Sequence, residues 1–395
     1  MPAVPCRILT MLSELEALPL VDHHCHGVTR QLPDRKAFEN LIYEGFEPLP
    51  GGHSHFDAPV GLAIRRWCAP VLDLEPLASP EDYLARREML GADEVNGRFL
   101  KGAGLEALLV DSGYRSEELV DFGGMGALAE APAGEVVRLE AVAEEVAAGG
   151  IDAARYPENF REALERRAEH AVGLKTIVAY RGGFAFDPSP PSRQDVVRAA
   201  GGWLKEQKGS ALRLTDQILL RFGIWTGAGL ARQRGFPLQI HSGFGDPDLT
   251  MHLANPTLLT DLVREFQRLP VNVVFLHCYP YHREAGYLAS VFPHVHFDLG
   301  SALNYLGPSA GRLMAEALEL APFTKQLYSS DAFGLPELYF LGALLFRRTL
   351  GSVLERWIAE GECSETDAKR IVGLIGRENA ERIYPLGFDN RRQRH

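Results

Sequence analysis

Leu18-Pro19-Leu20-Val21-Asp22-His23-His24-Cys25-His26 is a short apolar run that ends in a cluster of histidines, and its reading decides the fold. The apolar half predicts a buried strand. Side chains alternate along a strand, so Asp22, His24 and His26 share one face while His23 and Cys25 share the other. Two imidazoles side by side make half of a transition-metal site, because imidazole coordinates zinc, iron or manganese near neutral pH with little deprotonation. The same spacing also occurs as a pair of surface histidines in a turn. Partners further along the chain decide between the two.

Short apolar runs rich in β-branched residues recur after this one. They cover residues 106–111, 135–140, 174–180, 237–241, 271–277, 295–299 and 326–331, which with 20–26 gives eight expected strands. Helical patterns lie between most of them, at 157–170, 194–208, 255–268 and 311–320. Strand–helix alternation at this spacing implies a parallel sheet, and eight such units fit an α/β chain folded as a (β/α)8 TIM barrel. An open doubly wound sheet is the alternative. It places a glycine-rich phosphate loop directly after its first strand, where this chain has His24-Cys25-His26. Residues 27–104 are too long for a simple crossover and predict a helical, lid-like insertion after the first strand. Within it, His53 and His55 read either as substrate contacts or as solvated histidines of a Gly-rich loop. From residue 337 the chain is helical, as barrel closure or dimer contact. A single domain over 1–395 is expected.

With 395 residues, 46% hydrophobic and 24% charged, the composition is that of a globular protein. A formal charge of −11 disfavours polyanionic partners, and the only basic run is the tail Arg391-Arg392-Gln393-Arg394-His395, so nucleic-acid binding is not expected. No apolar stretch reaches membrane-spanning length and no secretory leader pattern opens the chain. The five cysteines (Cys6, Cys25, Cys68, Cys278, Cys363) are scattered and form no Cys-x-x-Cys pair. Neither a disulfide framework nor a thiolate zinc site is indicated, and the expected compartment is the cytoplasm.

Further polar residues stand at the expected C-terminal strand ends: His241 on the fifth, His277 on the sixth, Asp331 on the eighth. In a barrel those ends converge on one mouth, where such enzymes keep their catalysts. One strand-end histidine is usually structural. Two on the first strand, two later ones and an aspartate, in that order, form a joint signal for a metal-dependent enzyme.

This constellation resembles the amidohydrolase superfamily. Gly173–Arg181 (GLKTIVAYR), Pro237–Asp246 (PLQIHSGFGD) and Glu284–Pro293 (EAGYLASVFP) are similar to one branch of amidohydrolase family 2. That branch includes fungal and plant proteins in which an amidohydrolase-like half is fused to a glutamine-synthetase-like half. The likeness runs from about residue 15 to 384, so the domain is expected to stand alone. It implies a divalent metal, zinc before manganese or iron, held by His24, His26, His241 and Asp331. Asp331 is also implied as the catalytic group that takes a proton from water. His277 is implied either as a ligand to a second metal or as the group polarising the substrate carbonyl. Asp22, one step below His24 on the same face, is expected to orient from behind the ligands.

Two-metal relatives bridge their ions with a carboxylated lysine or a glutamate, for which Lys175 and Glu140 are the candidates. A strand continuing to Tyr180 puts Lys175 well below the mouth, at about 3.3 Å per residue, so one metal is favoured over two and Lys175 reads mainly as a buried, paired lysine. Arg181 then tops that strand, placed either for a substrate carboxylate, which guanidinium matches as a fork, or for a surface salt bridge. Asp298 is a second expected substrate contact, while His294 and His296 read as structural. Gly243-Phe244-Gly245-Asp246 reads as an anion-binding loop or a plain tight turn. The expected reaction is hydrolysis of an amide in a small molecule carrying a carboxylate, with a γ-glutamyl amide suggested by the glutamine-synthetase association. Decarboxylation of an aromatic or related acid, uronate-isomerase-like chemistry and ligand binding without turnover are the alternatives. A homodimer is the default assembly.

Overall fold

The computed structural model describes residue 15 and residues 18–47, 49–206 and 213–386. The basic tail at 391–395 and the end of the helix expected over 194–208 lie outside the described residues. The chain divides into two compact units. The first comprises Met1–Val110, Tyr114–Ala133 and Asp298–Ala380, the second Asp111–Gly113, Gly134–Phe297 and Glu381–His395.

Seven strands are assigned among the described residues: β1 Leu20–Cys25, β2 Leu105–Asp111, β3 Ala133–Arg138, β4 Ala171–Thr176, β5 Leu238–His241, β6 Val273–Leu276 and β7 Val295–Phe297. Their order follows the chain. In the first unit β1 runs parallel to β2, with Leu20 opposite Leu105 and Cys25 opposite Val110. In the second, β3 to β7 pair in parallel with their neighbours, and His241 stands opposite Leu276. Parallel strands in chain order with helices in the connections make this an α/β fold of the (β/α)8 class.

The expected eighth strand has no ladder of its own, yet it runs beside β1. Tyr328 accepts from the His23 amide at 3.3 Å, Asp331 donates to the His24 carbonyl at 3.0 Å, and Ala332 accepts from the His26 amide at 2.9 Å. Alternate donation and acceptance on one side of β1 is a parallel pairing. Its regularity breaks at Asp331, whose φ is +48°, a left-handed conformation that extended backbone does not tolerate.

Two boundaries differ from expectation. β4 stops at Thr176, and Val178–Arg181 winds into a 3-10 turn closed by Gly182 at φ +131°. Lys175 is therefore the penultimate residue of its strand and does not lie well below its end. Glu140 does not end a strand either; it sits in the first turn of the helix Leu139–Ala148. In both places β-branched residues raised strand propensity, and turn geometry overrode it.

The insertion is helical, with Arg35–Leu41, Pro59–Ala63, Pro80–Leu90 and Ala92–Gly102. The C-terminal region is led by the long helix Pro336–Glu360. No helix among the described residues is long and apolar enough to cross a membrane. All six β1 residues are buried. Leu20 and Val21 contribute about 1.5–3 kcal/mol each by leaving water, which anchors the strand that carries the histidines.

Candidate metal centre

The alternation along β1 is realised side chain by side chain. His23 reaches Asp298 (Nε2 to Oδ2, 2.7 Å) and Cys25 points at the Leu109 carbonyl. On the opposite face Asp22, His24 and His26 all meet residues 330 and 331. His24 Nε2 lies 3.5 Å and His26 Nε2 3.8 Å from the same carboxylate oxygen, Asp331 Oδ1. One ligand atom from each of the three residues lies within 4.8 Å of the others. The two imidazoles meet edge to face, with centroids 5.2 Å apart. Both are buried, as donors must be to meet an ion in a low-dielectric site.

Side chains that are not themselves candidate ligands set this geometry. Asp22 accepts from the Ser330 amide at 2.9 Å and from the Ser330 hydroxyl at 2.5 Å, which fixes the residue before Asp331. Burial pushes the Asp22 carboxyl up to about 7, against the pull of these Ser330 bonds. Ser301 donates to Asp331 Oδ2 at 2.8 Å, leaving Oδ1 turned toward the imidazoles. Ser329 donates to Asp298 at 2.9 Å, so His23, Asp298 and Ser329 form a buried polar chain. Nothing in the sequence singled out Ser301 or Ser329, because a hydroxyl thirty residues from its partner leaves no periodic signal.

In the second unit His241 and His277 come together, with ring centroids 4.7 Å apart. Their strands are neighbours, and His277 follows directly on Leu276, the residue opposite His241. His277 has φ +69°. Like Asp331, it is a non-glycine residue in a conformation that costs on the order of 1–3 kcal/mol and persists mainly where surrounding structure enforces it, often at functional sites. Tyr180, which the sequence placed at a strand end, instead tilts against His241 at 4.4 Å. Its hydroxyl occupies the space that a Cβ at Gly245 would need, 2.0 Å away.

The remaining candidates have protein partners. Lys175 Nζ is 3.1 Å from Asp111 Oδ2, both buried, and Arg138 donates to the same oxygen at 2.6 Å. Glu140 accepts from the Thr176 hydroxyl and the Ile177 amide. Burial raises its carboxyl above the ordinary range. Arg181 pairs with Glu144 at 3.1 Å, and Glu144 also accepts from the Leu214 amide. Asp298 is fully buried on His23 and Ser329 and presents nothing to solvent. His294 is buried with Nε2 3.1 Å from the Val263 carbonyl, and His296 is buried on β7. Gly243, at φ +71°, passes so close to Tyr279 that a Cβ would lie 2.4 Å from its carbonyl. His53 is exposed, whereas His55 is buried and stacked on Tyr43 at 4.1 Å.

A family model described as Amidohydrolase matches residues 116–386. The chain belongs to the amidohydrolase family. Protein fluG of Emericella nidulans is 26% identical over 406 residues, which cover 94% of this chain and 46% of that protein. This amidohydrolase thus spans about half the length of the curated relative it matches. A crystal structure from Lactobacillus casei, of a protein provisionally named a metal-dependent hydrolase, is similar with a TM-score of 0.83 at 29% identity, covering 98% of this chain and 99% of that one. Uronate isomerase from Thermotoga maritima has a TM-score of 0.65 at 14% identity, over 95% of this chain and 97% of its own. At that identity the likeness is one of fold alone.

Proposed function

We propose that this amidohydrolase uses one divalent metal ion to hydrolyse an amide in a small, carboxylate-bearing substrate, with a γ-glutamyl amide as the leading candidate. The observation that carries the reading is the convergence of His24, His26 and Asp331. Ligands 2.0–2.2 Å from a tetrahedral zinc ion stand about 3.3–3.6 Å apart. Of the separations between Asp331 Oδ1 and the two imidazole nitrogens, 3.5 Å to His24 falls within that span and 3.8 Å to His26 lies slightly above it, a difference that a small side-chain rotation closes around a shared ion. Two nitrogens and one carboxylate oxygen suit zinc, manganese or iron(II). Such an ion supplies Lewis acidity and activates water near neutral pH.

The chain's own residues do the rest. His24 and His26 donate neutral imidazole nitrogens from a rigid, buried strand. Asp331 keeps one oxygen on Ser301 and offers the other inward. From there it takes up the proton of the attacking water and passes it to the leaving nitrogen, so the amine departs neutral. His241 is proposed as a further imidazole donor and His277 as the group polarising the carbonyl oxygen, the roles that the family resemblance gives them. The γ-glutamyl preference rests on the fusion of similar domains to glutamine-synthetase-like halves, which is analogy.

Metal-loaded protein assayed on γ-glutamyl amides, other N-acyl amides, carboxylic acids and uronates tests the proposal. Amine release is the expected result, greatest for the γ-glutamyl compounds. Carbon dioxide release from the acids without amide cleavage sinks the hydrolase reading and favours the decarboxylase. Metal analysis is expected to find one equivalent. Two equivalents with a carbamate on Lys175 overturn the single-ion part.

A further inference from the structure

The outward stripe of the helix Pro336–Glu360 carries charges with no ion-pair partner among the described residues. Arg348, Ser352, Glu355 and Ala359 fall within a narrow arc at 3.6 residues per turn. Arg348, Ser352 and Ala359 are exposed, Glu355 is half-buried, and Leu344 extends the same stripe, also half-buried. The Arg348 guanidinium lies 4.4 Å from the Trp67 ring centre, and Arg66 lies at the same distance from that ring. Neither arginine has an ion pair or hydrogen bond among the described residues. One turn past Ser352, Glu355 is half-buried and has no ion pair among the described residues.

We propose that this helix face is an isologous dimer interface, in which a second copy of the chain packs the same helix antiparallel across it. A twofold axis between Gly351 and Ser352 sets Arg348 of each protomer opposite Glu355 of its partner copy. The same register sets Leu344 opposite Ala359. Ser352, a small exposed residue, falls at the crossing point, where two backbones approach most closely. Each unpaired cation then meets an unpaired anion, twice over, as an isologous contact requires. Trp67, with a guanidinium already laid on it, supplies a rigid aromatic platform beside the ion pairs, a residue type enriched at interface hot spots together with arginine. The occupant is a second copy because the stripe is complementary to itself when reversed, and to no simple single-sign partner.

Analytical ultracentrifugation of the full chain tests this at several protein concentrations. Wild type is expected at about twice 43.6 kDa. Arg348→Glu alone and Glu355→Arg alone each bring like charges together and are expected to raise the dissociation constant at least tenfold. The double reversal Arg348→Glu/Glu355→Arg is expected to restore the dimer, since both partners change sign. Far-UV circular dichroism of wild-type amplitude and a single cooperative unfolding transition are expected for the single variants and serve as the control for folding, while loss of the partner lowers their melting temperature by mass action. A monomeric wild type, single variants that still dimerise, or a double variant that fails to recover each overturn the antiparallel pairing.

Discussion

The two histidine pairs of this amidohydrolase are assembled by different means. His241 and His277 become neighbours through the register of β5 and β6, so sheet pairing alone brings them together, and an aromatic ring, Tyr180, packs on His241. His24 and His26 also share one strand face, but their carboxylate partner arrives from more than 300 residues away. Asp331 is brought in by backbone bonds from β1 to residues 328–332, and it is then aimed by Asp22 through Ser330 and by Ser301. The register of two adjacent strands therefore suffices for the second pair. The first requires a buried polar scaffold, whose members touch a neighbour of the carboxylate or its far oxygen.

The sharpest way to break that comparison is at Asp331. Asp331→Asn keeps the shape but loses the proton acceptor, and turnover should fall by about a thousandfold. Bound metal should fall much less, as a kcat measurement beside elemental analysis will read. Full activity in this variant would falsify the proton-transfer role. Next in size is the contrast between the pairs: His24→Ala should strip the metal, while His277→Ala should retain it and lose turnover about a hundredfold. Equal metal loss in both makes His277 a ligand like His24.

Asp22→Ala probes the scaffold alone. It leaves the Ser330 amide and hydroxyl without their buried acceptor, at a cost of about 1–3 kcal/mol in urea unfolding. Metal affinity should drop by about 10–100-fold through misplacement of Asp331. An Asp22→Ala protein with wild-type metal affinity shows that β1 pairing by itself positions the carboxylate.

The smallest expected effect lies in the second unit. Burial raises the Glu140 carboxyl above its ordinary value, so deprotonation favours the unfolded chain. The contribution of the neutral form is complete below the unfolded pKa of about 4.3 and is lost as pH rises through the higher native value. Glu140→Gln retains an acceptor for Thr176 and Ile177 without titrating. Its stability relative to wild type should therefore increase from pH 4 to pH 8, and a flat difference shows that folding leaves the Glu140 carboxyl unshifted.

Much of this was legible in the sequence, and what was not has identifiable causes. The alternation from Asp22 to His26 correctly assigned both faces of β1, because period-two geometry leaves no freedom once a strand forms. β5 and β6 were found within two residues of their observed starts by their apolar runs. The extension of β4 to Tyr180 failed because Thr176 to Tyr180 is rich in strand formers, yet the backbone turns at Ile177. Asp298 was expected to face substrate from near the C-terminal end of the seventh strand. Only the fold shows that the polar group awaiting it was His23, across β1. Arg181 likewise had two readings that differ by one partner, and Glu144 is that partner.

The sequence by itself determined the strand–helix alternation and the placement of histidines at strand ends, which are consequences of local periodicity and residue type. Its motifs carried the resemblance to the amidohydrolase family, which the match over residues 116–386 bears out. Tertiary structure alone decided that Asp331 turns one oxygen to His24 and His26 and the other to Ser301, in a left-handed conformation held by Asp22 through Ser330. Those contacts join residues up to 308 positions apart. Each hydrogen bond offsets the cost of taking its polar groups out of water, and no local pattern records which group will be buried beside which.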